Sequence, residues 1–122
     1  MLLDTFAWIE FFNATEKGAR VNEILHSNPC FTSAICLAEI SEWIEKESLE
    51  IEKIMLFVKS FSTIIGLDYS TLELAGILKL KKRKISKNFG MVDAIILATA
   101  KQHCLKIVTG DKHFEGENAI IL

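Results

Sequence analysis

Four carboxylates in this 122-residue chain stand where an acid can do chemistry: Asp4, Glu39, Asp93 and Asp111. Asp4 ends the apolar run Met1-Leu2-Leu3, and Asp111 follows Lys106-Ile107-Val108 through Thr109-Gly110. An apolar run that stops at an acid suits a buried parallel strand whose carboxylate emerges at its C-terminal end, where open α/β sheets place their sites. Asp93 stands just before Ala94–Ala100, seven residues that are small or apolar apart from Thr99. Glu39 falls between Ile35 and Trp43 in a row of residues four apart. Unpaired acids repel one another, so a cluster of four needs a cation. Oxygen ligands without His or Cys select hard divalent ions, Mg²⁺ or Mn²⁺. Such a site can lower the pKa of a water and neutralise a phosphodiester during an in-line displacement.

Each acid also has a plainer reading. Asp93 suits a helix N-terminus, where capping or dipole complementation is worth about 1 kcal/mol. Glu39 between two apolar neighbours costs free energy unless it is compensated, and a salt bridge would serve as well as a metal. Both readings stay open at this level, because convergence of the four depends on topology.

The elements that must position these acids are legible from periodicity. Met1–Leu3, Cys30–Thr32, Ile64–Leu67, Lys106–Val108 and Ala119–Leu122 read as short strands. Thr5–Phe12 (TFAWIEFF) reads as a helix whose apolar residues exceed one stripe, so either one face meets the sheet and another a partner, or its aromatic residues simply fill the core. Helical spacing recurs within Asn13–Asn28, and Pro29 ends it. Ser33 is placed to cap a helix running to about Lys46, and Ser48 to cap the next, with Ile51, Ile54, Met55 and Val58 on its inner side. Ser70 and Glu73 read as a capping box opening Leu72–Arg83, with Leu74, Ile77 and Leu78 on one face and Lys79, Lys82 and Arg83 on the other. Gly90–Lys101 reads as a helix buried on several sides. Phe114 should fold back onto the core, and His113 reads as a surface or capping residue.

Composition narrows the class. Half the residues are hydrophobic and a quarter charged, with one proline, no repeat and no composition break, so one domain over residues 1–122 is expected. No apolar stretch reaches the roughly 18 residues of a membrane span, and a cytoplasmic location is expected. Cys30, Cys36 and Cys104 lack metal or disulfide spacing and read as reduced core residues. The formal charge of −2 is no nucleic-acid signature, but six of the fourteen basic residues lie in Lys79–Lys87. A basic run ending shortly before Asp93 is either a solvated face or a contact for backbone phosphates.

Four pieces together resemble a PIN-domain nuclease, close to the VapC-type toxins of toxin–antitoxin pairs: LLDTFAWIEFF, TSAICLAEI around Glu39, MVDAIILATA around Asp93, and VTGDKHF around Asp111. They occur in the family's order and span essentially the whole chain. The resemblance implies a parallel sheet of strand order 3-2-1-4-5 with helices on both faces. It also implies a metal-dependent ribonuclease site, a homodimer and an antitoxin that wraps the toxin. By position, Asp4, Glu39, Asp93 and Asp111 match the family's acids, and Thr5 and Thr109 its accompanying hydroxyls. Asp4, Asp93 and Asp111 would then bind Mg²⁺, Glu39 would ligate or act as base, and Lys79, Lys82 and Arg83 would hold RNA phosphates.

Three other classes fit parts of the pattern. A signalling receiver domain also clusters acids on Mg²⁺, but it needs an acid pair after the first strand and a phosphoacceptor after the third. Here only Asp4 follows the first strand, although Asp68 ends the third. A catalytically silent PIN scaffold and a stand-alone RNA-processing nuclease are the remaining two.

Overall fold

The computed structural model describes residues 1–122. Strand β1 (Leu2–Leu3) leads into helices α1 (Thr5–Phe12) and α2 (Glu16–Ser27), and β2 (Phe31–Ser33) into α3 (Ala34–Lys46) and α4 (Ile51–Phe61). Strand β3 (Thr63–Ile65) precedes α5 (Tyr69–Arg83) and α6 (Met91–Gln102), and β4 (Ile107–Thr109) is joined to β5 (Ala119–Ile121) through a 3₁₀ turn at Lys112–Phe114. All five strands are parallel, in the order β3-β2-β1-β4-β5. Leu2 lies opposite Phe31 on one side and Ile107 on the other. Because parallel crossovers are right-handed, reversing the direction of travel after β3 sends α5 and α6 to the sheet face opposite α1–α4.

The strands are two or three residues long, so burial rather than ladder length holds them. Leu2, Leu3, Ile107 and Val108 are fully enclosed, as expected of a sheet covered on both faces. Every residue from Ala94 to Ala100 is buried, and α6 therefore sits inside the molecule rather than on it. Phe114 is buried and meets Phe89 edge to face, 5.7 Å between ring centroids.

Helix α1 carries more aromatic surface than one face can bury, and the chain covers much of the surplus itself. Trp8 is fully enclosed, while Phe11 and Phe12 pack around Phe57 of α4 at 5.2 and 5.7 Å. Trp43 of α3 stacks on Phe12, and Phe61 stacks on Phe57. On this side of the sheet α4 keeps Leu56 and Phe61 in water, and on the other face α5 keeps Leu72, Ile77 and Leu80 exposed.

Helix boundaries depart from the sequence reading in two places. Ser48 takes a left-handed φ of 54° in the turn, and Glu50 holds the N-cap position of α4. Asp68, not Ser70, caps α5: its Oδ1 accepts the Thr71 N–H at 2.8 Å, which starts the helix at Tyr69. The inner stripe of α5 then runs through Thr71, Ala75 and Leu78, which leaves Ile77 exposed. The cysteines are free as expected, with Cys30 and Cys36 buried. Cys104 is exposed at φ 52°, because it occupies the left-handed position that ends α6.

Gly18 fixes how closely α1 and α2 approach. A Cβ there would stand 2.7 Å from the Glu10 carbonyl carbon and closer still to its oxygen, and backbone cannot turn aside. Gly18→Ala should therefore destabilise the protein by about 1–3 kcal/mol, although alanine is the better helix former. A lower urea midpoint at unchanged slope checks this.

Candidate metal centre

Strand β1 has β2 on one side and β4 on the other, and the chain leaves those neighbours in opposite directions. That switch point opens a crevice at the C-terminal ends of the strands. A cleft of about 370 Å³ lies there, lined by Asp4, Thr5, Phe6, Glu39, Asp93, Ile96, Gly110 and Asp111. The structure thus brings together all four acids from widely separated parts of the sequence.

Each carboxylate is oriented by a hydrogen bond. Asp4 caps α1 by accepting the Ala7 N–H at 2.8 Å. Asp93 accepts the Gly90 N–H at 3.0 Å, and Asp111 accepts the His113 N–H at 2.8 Å. Capping and site formation are therefore the same arrangement, with one carboxylate oxygen turned to the backbone and the group held in place. Glu39 Oε2 accepts the Thr5 hydroxyl at 2.5 Å. Thr109 Oγ1 accepts the Asp111 N–H at 2.9 Å, and its hydroxyl lies beside Asp4, whose charged form it favours. These two threonines tie α1 to α3 and β4 to β1.

The electrostatics show what the cleft lacks. Burial pushes the Asp4 carboxyl up to about 7, against the opposing hydrogen bonds from Thr109 and Ala7, and the charges of Asp111 and Glu39 add to the rise. Burial also raises Asp93, opposed by the Gly90 N–H, while Asp111 raises it and His113 lowers it. No Lys or Arg pairs with any of the four acids; the only ion-pair partner among them is His113, 3.0 Å from Asp111. Four carboxylates lining one cleft without a paired Lys or Arg fit a hard divalent cation, and the donors already close enough to share one are Asp93, Asp111 and His113.

His113 is the residue that sequence reasoning misses. Its ring nitrogen and one oxygen each of Asp93 and Asp111 lie within 4.8 Å of one another, so it belongs to this cluster. The signal is its position two residues after Asp111, where a one-turn 3₁₀ helix folds the side chain back on the acid. Ser33, at the start of α3, keeps a buried hydroxyl without a partner. Cys36 lies near Thr5, Asp4 and Glu39, and burial pushes its thiol up to about 12, so it is an inert wall.

The basic residues divide. Lys82 is largely enclosed, 3.2 Å from Glu117 and over the Phe89 ring, and Arg83 Nε donates to the Phe89 carbonyl. Glu117 also pairs with Lys101 at 3.1 Å, and the two ammonium groups hold its carboxyl low in spite of burial. Lys79 is half-buried, whereas Lys81, Lys84 and Lys87 are exposed and carry no ion pair.

The observed strand order differs from the 2-1-3-4-5 order of receiver domains. Asp68, the candidate phosphoacceptor, caps α5 and does not line the cleft. The family model of the PIN domain matches residues 1–116. The chain belongs to the PIN domain family. Solved structures share its fold over most of its length. A toxin–antitoxin complex from Klebsiella pneumoniae is 25% identical with a TM-score of 0.79, covering 98% of this chain and 94% of that one. DNA-bound VapBC from Salmonella typhimurium is 25% identical with a TM-score of 0.70, covering 93% and 89%. The VapC20 toxin of Mycobacterium tuberculosis, described as cleaving the sarcin-ricin loop, shares the fold at 18% identity and a TM-score of 0.69, with 87% and 85% covered. No curated protein matches the chain. No helix of this PIN domain is long and apolar enough to cross a membrane.

Proposed function

We propose that this PIN domain is a Mg²⁺- or Mn²⁺-dependent endoribonuclease and the toxin of a toxin–antitoxin pair. The observation that carries the reading is the convergence of Asp4, Glu39, Asp93 and Asp111 in one cleft without a paired Lys or Arg. Asp4, Asp93 and Asp111 would hold the cation, and His113 would steady Asp111. A bound divalent ion supplies positive charge at a phosphoryl oxygen and lowers the pKa of water. Glu39 turns Oε2 to Thr5, which leaves Oε1 to complete the ligand set or to accept a proton from the attacking water. Thr109 accepts the Asp111 backbone N–H and lies beside Asp4, whose charged form it favours. RNA as substrate is supported by the resemblance of the four motifs and by the named target of the sarcin-ricin loop cleaving relative.

Backbone phosphates would be met by Lys79 and by Lys81, Lys84 and Lys87, on the segment that runs into Gly90 and the cleft. Lys82 is committed to Glu117, while Arg83 gives Nε to the Phe89 carbonyl but is exposed and keeps its other donors free for a phosphate. Lys84→Gln with Lys87→Gln should weaken RNA binding and reduce the slope of log affinity against log salt by roughly one unit for each phosphate no longer held. Lys82→Gln should instead lower the melting temperature, because it breaks an enclosed ion pair. Titration of a labelled oligoribonucleotide at several salt concentrations, beside a thermal melt of each variant, separates the two effects.

The partner proposed is a small antitoxin, as in the complexes from Klebsiella and Salmonella, acting on a homodimer of this chain in the cytoplasm. An amphipathic segment of it would cover the apolar edge of α4 and direct an Arg or Lys at the acidic cleft. The deciding experiment incubates the purified chain with structured and single-stranded RNAs in Mg²⁺, in Mn²⁺ and in chelator. Metal-dependent cleavage supports the nuclease. RNA binding without cleavage under every metal condition would favour a silent scaffold, and cleavage unaffected by the neighbouring small protein would favour RNA processing.

A further inference from the structure

Phe6 is an apolar ring in an otherwise acidic cleft. It follows Asp4 and Thr5 directly, lines the cleft with them, and is 36% exposed. Its ring rests on Gly110, where any Cβ would overlap Cε1, so that position must be glycine for the ring to lie as it does. The ammonium of Lys17, on α2, lies over the ring face, 5.1 Å from its centroid, and has no carboxylate partner, so a base that stacks there displaces it toward the incoming phosphate. An aromatic face attracts a cation, so Lys17 is held over the ring until a phosphate draws it away, and a partly exposed ring seated on Gly110 is already positioned before anything binds.

We propose that Phe6 and Lys17 form a nucleotide subsite beside the metal cleft, in which an unpaired nucleobase stacks on the Phe6 ring and Lys17 meets that nucleotide's phosphate. The proposal rests on the nuclease reading and specifies how its substrate is seated. Every base has a π-face, so stacking holds a strand in place without demanding a sequence. The four acids exclude an acidic peptide from the same cleft, whereas a neutral base with its phosphate turned to Lys17 meets complementary groups. A base can reach Phe6 only if it is out of a helix, so the subsite selects single strands and loops over duplex.

The test uses a short single-stranded oligoribonucleotide carrying 2-aminopurine at each position in turn, with a matching abasic series. Binding is followed by fluorescence for wild type, Phe6→Leu, Phe6→Trp and Lys17→Gln, each first shown to melt cooperatively. One position is expected to be quenched on binding to wild type. An abasic site there and Phe6→Leu should each weaken binding roughly tenfold, and the two together no further. Phe6→Trp should retain affinity, and Lys17→Gln should reduce the salt slope by about one. If wild type binds and cleaves RNA but the abasic penalty is the same in Phe6→Leu, the subsite is overturned and the nuclease stands. If wild type neither binds nor cleaves any RNA in Mg²⁺ or Mn²⁺, both are overturned.

Discussion

Asp4→Asn should raise the melting temperature of the metal-free protein at pH 8 and abolish the rise that Mg²⁺ gives the wild type. Burial lifts the native Asp4 carboxyl to about 7, against 3.8 for an ordinary aspartate. The folded state therefore holds this proton more tightly than the unfolded state, and stability contributed below pH 4 is lost as pH climbs to about 7. That window corresponds to up to about 4 kcal/mol. Asparagine keeps an oxygen to cap α1 and carries no charge, so the variant should be flat where the wild type falls. A cation bound only by the folded acids offsets the same penalty, by about 2.7 kcal/mol at a hundred times its dissociation constant. Mg²⁺ should accordingly stabilise the wild type more at pH 8 than at pH 5, where protons compete for Asp4. Thermal melts at the two pH values, with Mg²⁺ and with chelator, read all of these effects. A Mg²⁺ shift of equal size in wild type and Asp4→Asn would remove Asp4 from the metal centre.

The second large effect is on cleavage. Asp93→Asn and Glu39→Gln should each lower the rate of RNA cleavage by roughly 10²–10⁴-fold, with the fold intact. Asparagine at position 93 can still accept the Gly90 N–H, so a loss of activity is not a loss of the helix start. Thr5→Val is the informative companion. It removes the hydroxyl that donates to Glu39 Oε2 and touches no other acid. A smaller loss than in Glu39→Gln is expected, because the carboxylate survives but is no longer oriented. Single-turnover rates under saturating metal check this series. Equal rates in wild type and Glu39→Gln would leave Glu39 with only its tie to Thr5.

Much of this site is legible in the sequence because an acid at the end of a short apolar run marks the same sheet edge wherever it occurs. Asp4 and Asp111 announce themselves that way, and the buried run after Asp93 places the third. Glu39 is visible as a charge in an apolar row, but its compensation by Thr5 depends on how α1 crosses α3, which no local spacing encodes. His113 reads as a capping residue because one local turn decides whether a histidine two residues from an acid points outward or back. The basic helix departs from its sequence pattern for a tertiary reason. Lys82 and Arg83 share a face with Lys79, yet Glu117 and the Phe89 carbonyl, from later segments, engage them. The aromatic excess of α1 is plain from its composition, but the cover comes largely from Phe57 and Trp43 within the chain. The capping differences at Ser48 and Ser70 have one cause: several side chains could take the N-cap position, and backbone geometry chose Glu50 and Asp68.

The most direct measurement titrates Mn²⁺ into the metal-free protein by calorimetry and follows RNA cleavage at each point of the same titration. Cleavage should rise in step with occupancy of a site that Asp93→Asn removes, with binding and activity lost together. Cleavage that proceeds in chelator, or Mn²⁺ binding undiminished in Asp93→Asn, would contradict a metal-dependent nuclease built on these four carboxylates.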